Sequence, residues 1–548
     1  PGFHRVCFNS PYTEYLCEQI QETVNLFPNC DGIFLDIISQ PECVCPSCLK
    51  VMAENGLNPR NQKDRKRCSE MALERYYQMS TMAATYANPD MPVFHNSGHV
   101  TPGKRKMLKE YFSHLELESL PTGGWGYDHF PLSAKYVQGI DLDFLGMTGK
   151  FHTTWGEFGG YKHPNALIYE CAAMMAYGAK CSIGDQLHPS GKLDESTYQM
   201  IGQAYAEVEK KEPWCDHVES VADIGLLTAA AVNASAARDI PGDIGAGRVL
   251  LEGHFLFDVI DLDSDFKKYK MLILPDEIQI DAKLKKRLDT YLGKGGKLLL
   301  SGTSGLDAEG KMMFDIGGEV KGKSPFCPDY VRFGDDVRPP SISSPMVMYL
   351  PSQRLKVTDG ISLGDVHDSY FNRTDYRHFC SHQHTPNRLE ASGFSAGVMK
   401  GQIMYLAHPM FGIYRGWGCV PVGEFLRNAI RLLLGDSCSV RTNMPSMARL
   451  NVMHQPKEKR YVLHLLYANT LARGGHINVN GVQSRGMIEV IEDLLPLPNV
   501  EVWLSLPKGV KSATLEPQGV PLSLVEDGTG VSLKVDSVTC HQMVALNY

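Results

Sequence analysis

Residues 32–38 read GIFLDII, a short apolar run that ends in polar sequence and leads into an amphipathic helical stretch. Similar runs recur before about residue 210, at 92–96 (PVFHN), 114–120 (HLELESL), 144–148 (FLGMT) and 180–184 (KCSIG). Helical stretches such as 69–86 and 164–177 separate them, and alternating βα units predict a parallel sheet. Polar and aromatic residues follow each run, and no phosphate-type glycine loop does. We therefore expect an α/β fold with a (β/α)8-type (TIM) barrel, rather than an open doubly wound sheet.

The pattern changes twice along the 548 residues, which are too many for one hydrophobic core. From about residue 216 a new set of strands and helices (ADIGLLT, YKMLILP, AKLKKRLDTYLGKG, GKLLLSG) predicts a flavodoxin-like α/β domain. From about residue 444, short alternating strands such as RYVLHLLYAN, VEVWLSLP and GVSLKVD predict a C-terminal β-sandwich. The predicted domains are 1–215, 216–443 and 444–548. Because the sequence opens at Pro1 inside a strand-to-helix unit, we expect the barrel to be N-terminally incomplete.

Composition narrows the function classes. The formal net charge is -8 and no basic stripe with interleaved aromatics occurs, which argues against nucleic acid. No apolar run reaches the roughly 18 to 20 residues of a membrane-spanning helix. Fifteen cysteines in apolar segments are typical of reduced thiols, so we expect a soluble, cytoplasmic protein.

The densest motif is a cysteine cluster that predicts a zinc site. Cys43, Cys45 and Cys48 follow the first strand, and closely spaced thiolates suit tetrahedral Zn²⁺. Cys7, at the end of the strand-like segment FHRVC, is the expected fourth ligand. Four thiolates leave no open coordination position, so the zinc would be structural and no catalytic cofactor is expected. The alternative is a group of free thiols.

Carboxylates at strand ends are the candidate catalytic groups. Asp36 lies within an apolar strand, so we expect it to be buried. A buried carboxylate destabilises the fold unless it is paired, and one that is kept is often functional. Glu116 and Glu118 alternate in HLELESL, so both face one side of their strand. Glu157 is a further candidate acid. Glycosidases use two carboxyl groups that flank the scissile bond. The alternative is that Asp36 caps a loop and each glutamate pairs with a basic residue.

Polar and aromatic side chains after the strands are typical of a sugar pocket. A single histidine is more often a packed core residue, but here the groups recur after several strands. The candidate substrate-binding residues are His95, Asn96, His99, Trp125, His129, His152, Trp155, Asp185 and His188. No GxSxG, HExxH or GxxxxGK[ST] motif occurs, so serine hydrolase, zinc protease and P-loop functions have no support.

The stretch RVCFNSPYTEYL with the cysteines at 43, 45 and 48 resembles the zinc-binding segment of the family 42 beta-galactosidases. Those enzymes share the expected domain order, and in them the second domain drives trimerisation. The resemblance implies a homo-oligomer, a dimer or a trimer. Their catalytic glutamates have no counterparts here, because Asp36-Ile37-Ile38 and Met147-Thr148-Gly149 stand at those places.

The phrases HLELESLPTGGWGYDHFP, GKFHTTWGEFGG and GDQLHPSGKLD resemble the barrel of the family 151 alpha-L-fucosidases. That resemblance implies a retaining, exo-acting hydrolase that removes terminal fucose from a glycoside substrate. It also implies that Asp36 is the nucleophile, with Glu118, then Glu116, then Glu157 favoured as acid/base. The alternatives are a beta-galactosidase or other exo-glycosidase of related architecture, and a non-catalytic carbohydrate-binding or scaffold protein.

Overall fold

A computed structural model describes residues 5–233, 237, 239–381, 384–484 and 486–548. The chain forms two compact units. The first contains residues 1–100, 104–118 and 140–147, and the second contains 101–103, 119–139 and 148–548. Among the described helices, none has both the length and the apolar character needed to cross a membrane.

The first unit contains parallel strands that are neighbours in chain order. Its strands are β1 (Ile33–Leu35), β2 (Val93–His95), β3 (Leu115–Glu118) and the first part of β4 (Phe144–Gly149). β1 pairs in parallel with β2, and β3 pairs in parallel with β4. Between β2 and β3, the Ser113 backbone N–H donates to the Val93 carbonyl (3.0 Å). The four strands therefore follow one another in chain order.

The first unit also contains four helices, of which the first precedes β1 and the others lie between strands: α1 (Tyr12–Leu26), α2 (Pro46–Glu54), α3 (Gln62–Thr85) and α4 (Arg105–Tyr111). α3 begins where the Asn61 side chain accepts the Lys63 N–H (2.9 Å), as an N-cap residue does. Ile20 of α1 packs with Ala83 and Ala84 of α3 and with Val93 of β2. The strand expected in FHRVC is wrong for residues 5–7, which have no regular structure, and residues 3 and 4 lie outside the described residues.

The second unit begins with further βα elements: α5 (His129–Val137), α6 (Pro164–Ala176), β5 (Lys180–Gly184) and α7 (Glu195–Glu209). Beyond the end of β4, the Lys150 N–H donates to the Gly184 carbonyl at the end of β5 (3.0 Å). The five strands expected before residue 210 are all present, with starts that differ by at most one residue and ends that differ by at most three.

A seven-stranded sheet forms the middle of the second unit. The short strand β6 (Glu219–Ser220) precedes this sheet and lies outside it. The strands of the sheet are β7 (Ile224–Leu227), β8 (Phe257–Ile260), β9 (Met271–Leu274), β10 (Lys297–Ser301), β15 (Ile361–Ser362), β17 (Gly397–Lys400) and β18 (Ile403–Leu406). The sheet order is β15-β17-β18-β10-β9-β7-β8. Its five parallel strands follow the flavodoxin order 2-1-3-4-5, as the sequence predicts.

Helices and small antiparallel sheets complete this region. The helices are α8 (Ala229–Val232), α9 (Pro241–Glu252), α10 (Ala282–Leu292), α11 (Met410–Trp417) and α12 (Val420–Leu434). The additional strands, which the sequence patterns did not predict, are β11 (Gly318–Lys323), β12 (Tyr330–Phe333), β13 (Met346–Val347), β14 (Gln353–Val357) and β16 (Gly364–His367). Gly295, with φ +90°, supports the turn between α10 and β10, where a side chain would be strained.

The C-terminal region is a β-sandwich. One sheet has the order β19-β26-β30-β29 and the other β28-β27-β31-β21-β20-β6. The strands are β19 (Val440–Thr442), β20 (Arg449–Gln455), β21 (Arg460–Tyr467), β22 (Thr470–Gly475), β23 (Asn478–Val479), β24 (Val482–Gln483), β25 (Gly486–Ile491), β26 (Leu497–Leu504), β27 (Ser512–Glu516), β28 (Val520–Leu522), β29 (Val525–Glu526), β30 (Val531–Val538) and β31 (Cys540–Asn547). β22 and β25 form a separate hairpin arm, with β23 and β24 between them.

Candidate active site and cysteine cluster

Asp36 follows β1 directly. The expectation that it is buried within the strand is wrong, because β1 ends at Leu35 and Asp36 is exposed. Its Oδ1 accepts hydrogen bonds from Asn96 Nδ2 (2.8 Å) and the Ile37 N–H (2.9 Å). Ile37 has φ +57°, a strained conformation for a β-branched residue and one that often marks functional loops. Asp36 also lines a cavity of about 490 Å³ within the first unit, a volume in the range of small-ligand pockets.

Glu116 and Glu118 lie on one face of β3, as their spacing predicts. Leu115 and Leu117 are buried on the opposite face, whereas both glutamates are half-buried. Glu116 Oε1 lies 2.9 Å from Nε2 of His114, the residue just before the strand, so this carboxyl already has a partner. Glu118 is a member of the same strand face and interacts with other residues of the structure.

The candidate residues after β2, which are His95, Asn96 and His99, differ in burial. His95 is 2% exposed, packs edge-on against Tyr77 and lies 3.0 Å from Thr81 Oγ1 through its Nε2. Burial lowers the pKa of His95 to about 4, so the ring is neutral. This environment favours the alternative of a packed core histidine over a sugar contact. Asn96 and His99, by contrast, are half-buried, and Asn96 holds Asp36.

In the second unit, the segment 125–129 brings two of the candidate residues together. The Trp125 and His129 rings lie 5.0 Å apart at 58°. His129 Nδ1 lies 3.2 Å from Ser119 Oγ. Both rings are half-buried, which suits side chains that present one face to a ligand.

The loop that carries His152, Trp155 and Glu157 is closed at its base. The Lys162 N–H donates to the Lys150 carbonyl (2.8 Å), so the two ends of the loop are held together. His152 and Trp155 are exposed. Glu157 Oε1 accepts the Thr153 N–H (2.7 Å), a bond within the loop itself.

Asp185 and His188 follow β5. Lys150 Nζ lies 3.9 Å from Asp185 Oδ1. His188 Nδ1 lies 2.9 Å from Ser190 Oγ, and its ring meets Phe158 of the preceding loop at 5.9 Å. The loops after β4 and β5 therefore meet through their aromatic side chains.

A buried polar group beneath the loop after β4 was missed by the sequence analysis. Lys162 Nζ donates to Glu170 Oε2 (2.7 Å) and to Thr148 Oγ1 (2.8 Å), and the Thr148 hydroxyl donates to the same Glu170 oxygen (2.6 Å). All three residues are buried. Although burial lowers the pKa of Lys162 below its ordinary value, the Glu170 carboxylate opposes this shift. The group fixes the base of the loop, and no local sequence motif indicates it.

The four predicted cysteine ligands converge, so that Cys7 joins Cys43, Cys45 and Cys48 as expected. Their sulfur atoms all lie within 4.8 Å of one another. Tetrahedral zinc at about 2.3 Å from each sulfur requires sulfurs roughly 3.8 Å apart, so the cluster fits a metal with little movement. Burial alone would raise the pKa of Cys45, but hydrogen bonds with the Cys48 N–H and with neighbouring thiols lower this pKa to about 7.

A fifth thiol, Cys68 on α3, lies beside this cluster and was not predicted. Its Sγ is 3.7 Å from Asn9 Nδ2, which also donates to Cys48 Sγ (3.4 Å). Cys68 is buried. Because it is far in sequence from the other four cysteines, their spacing did not indicate that it lies beside them.

Comparisons with known proteins identify the architecture. Residues 248–322 match the family model described as "Beta-galactosidase trimerisation domain". The beta-galactosidase from Bacillus circulans sp. alkalophilus is 13% identical, with a TM-score of 0.69 over 100% of this chain and 84% of that one. A family 42 beta-galactosidase from G. stearothermophilus is 12% identical, with a TM-score of 0.66 over 100% and 83%. The fold is therefore that of the multidomain glycosidases with a β-rich C-terminus.

A third structure defines the family. The alpha-L-fucosidase isoenzyme 2 from Paenibacillus thiaminolyticus is 44% identical and covers 100% of this chain and 82% of its own, with a TM-score of 0.94. The chain is a glycoside hydrolase and belongs to the family of this alpha-L-fucosidase, which confirms the resemblance seen in the sequence. A search of curated proteins found no match.

Proposed function

We propose that this chain is a retaining, exo-acting alpha-L-fucosidase that removes terminal fucose from glycosides. The observation that carries the proposal is 44% identity, over the whole chain, to an alpha-L-fucosidase. The beta-galactosidases of similar fold are at most 13% identical in the structures compared above, so they support the architecture and not the substrate.

For the chemistry we propose double displacement. Asp36 attacks the anomeric carbon and forms a glycosyl ester, while Glu118 protonates the leaving oxygen and then activates water. The exposure of Asp36, the strained residue after it and the adjoining cavity support its role. The hydrogen bonds from Asn96 Nδ2 and the Ile37 N–H to Oδ1 orient the Asp36 carboxyl group. Glu116 and Glu157 are the other acid/base candidates.

For the sugar contacts we propose the residues whose side chains remain accessible. They are Asn96, His99, Trp125, His129, His152, Trp155, Asp185 and His188. We assign His95 to packing, because it is buried among aromatic rings.

The proposal is tested by turnover of aryl alpha-L-fucosides. Asp36→Gly should lower kcat by at least about a thousandfold, and azide should restore part of it by replacing the missing nucleophile. Asp31→Gly, at an exposed aspartate just before β1, is the matched control and should retain activity. Unchanged kcat in Asp36→Gly contradicts the assignment. A panel of aryl galactosides and arabinosides separates fucosidase activity from other exo-glycosidase activities, and sugar binding without turnover would indicate a binding protein.

We propose further that the barrel is of the (β/α)8 type and that the domains span 1–215, 216–443 and 444–548. The unreversed strand order β1 to β4 supports the barrel. The match at residues 248–322 lies within the proposed second domain. β6 and β19 precede residue 444 but pair with strands of the proposed third domain.

We propose that Cys7, Cys43, Cys45 and Cys48 hold a structural Zn²⁺ ion, which when bound supplies four strong bonds that link the segments carrying them. The purified protein should contain about one zinc per chain, and Cys43→Ser should lose the metal and the stability that it gives. Cys17→Ser, outside the cluster, is the control. Full metal content in Cys43→Ser contradicts the ligand set. Buried thiols such as Cys171 and Cys215 support a cytoplasmic location, where thiols stay reduced.

A further inference from the structure

The short segment before α5 is held by residues from much later in the chain. Asp128 Oδ2 accepts from Arg248 Nε of α9 (2.7 Å), and Asp128 Oδ1 accepts from an Arg449 terminal nitrogen of β20 (2.8 Å). Arg449 is itself fixed, because it also donates to the Ser446 and Ala448 carbonyls (2.7 and 2.9 Å). One carboxylate therefore joins this segment to both later parts of the chain.

Asp128 is 8% exposed, so its two partners are needed to keep it charged. Burial alone would raise the pKa of Asp128, but the Arg449 and Arg248 guanidiniums hold it below the ordinary value. The carboxylate makes no capping hydrogen bond to α5, although Asp128 occupies the N-cap position. The Asp128 carboxylate therefore accepts hydrogen bonds from the two arginines instead of capping its own helix.

A third residue from the C-terminal part fixes the same segment. Glu489 Oε2, on the hairpin arm, accepts the Tyr127 N–H (3.1 Å). Gly126 has φ +75°, and a side chain there would place its Cβ 3.2 Å from that Glu489 oxygen. The backbone thus approaches Glu489 closely at a residue that only glycine suits.

The residues that flank these contacts are Trp125 and His129, whose rings lie together. We propose that Asp128, Arg248, Arg449 and Glu489 are positioning residues that set the geometry of the Trp125–His129 sugar contact. The inference rests on the proposed function, because it takes these two rings to contact the sugar. If these residues act in this way, α9 and the C-terminal β-region both affect the affinity for the substrate.

The test compares variants of the full chain in aryl alpha-L-fucoside hydrolysis. Arg449→Met should lower kcat/KM about tenfold or more, mainly through KM, since a displacement near 1 Å has effects of this order. Glu489→Ala should act in the same direction, and Glu489→Gln, which keeps an acceptor for the Tyr127 N–H, should recover most of the loss. The matched control is Arg354→Met, which breaks another buried arginine–aspartate pair, with Asp368 (2.7 Å).

Hydrogen exchange of residues 121–130 gives a second readout that needs no substrate. Exchange should accelerate in Arg449→Met and Glu489→Ala but not in Arg354→Met. If Arg449→Met and Glu489→Ala match the control in both kcat/KM and exchange, the positioning role is refuted. If the wild-type protein does not cleave fucosides, the proposed function fails, and the exchange result alone then decides whether these residues hold the segment.

Discussion

At the scale of single residues, two buried carboxylates give the second domain a pH dependence. Asp243 accepts the N–H groups of Ala229 and Ala230, and Asp276 accepts the Ser301 hydroxyl and the Gly412 N–H. Burial nevertheless raises the pKa of both Asp243 and Asp276 to about 6. The folded chain therefore binds these protons more tightly than the unfolded chain does.

The stabilisation from this protonation is complete below about pH 4, the unfolded value, and is lost as the pH rises through about 6. We predict that the free energy of unfolding falls between pH 4 and 7 by on the order of 3 kcal/mol for each carboxyl. Urea unfolding of the wild type and of Asp276→Asn at several pH values measures this. The asparagine variant should show the smaller fall, and parallel pH curves would refute the assignment.

How far the sequence predicts single residues depends on sequence separation. Cys43, Cys45 and Cys48 are close in sequence, so their convergence was predictable. Cys7 was chosen because a strand was expected to end there, and it joins the cluster although residues 5–7 form no strand. Cys68 and the partners of Asp128 come from distant segments that share no motif with their sites. The exposure of Asp36 was not predictable because apolar composition does not show where a strand ends.

At the scale of elements, the approach of α9 to α11 depends on one glycine. A Cβ at Gly245 would lie 2.0 Å from the Phe411 carbonyl oxygen, a backbone atom that cannot move aside alone. We predict that Gly245→Ala destabilises the chain by about 3 kcal/mol, the upper part of the range for overpacking. Thermal unfolding measures the loss.

Gly202 supplies the matched control for that substitution. It lies within α7, and a Cβ there would meet no atom within 4 Å. Gly202→Ala should therefore stabilise the chain by about 0.5–1 kcal/mol through helix propensity. Equal effects of the two substitutions would contradict the close packing of α9 on α11.

Elements with strong periodicity were predicted well, and short ones were not. The strands β7, β9 and β10 of the seven-stranded sheet lie where the sequence placed them, because buried parallel strands are continuous and hydrophobic. The other four strands of that sheet were not predicted. β6 and β19, with two and three residues, pair with strands of the sandwich. Such short segments carry no alternation by which a pattern could identify them.

At the scale of the whole molecule, the match of residues 248–322 to a trimerisation domain is in line with the homo-oligomer predicted from the sequence. We predict that light scattering gives the mass of two or three chains, unchanged on moderate dilution. A mass of one chain at micromolar concentration would contradict the proposed homo-oligomer.

The central claim is that Asp36 is the nucleophile of a retaining fucosidase. The most direct measurement is mass spectrometry of peptides after inactivation with a 2-deoxy-2-fluoro-fucosyl fluoride, which traps the glycosyl ester because its hydrolysis is slowed. We predict one sugar bound per chain, on the peptide that contains Asp36 and on that carboxyl. A label on another acid, or turnover of fucosides without any trapped ester, would contradict the account.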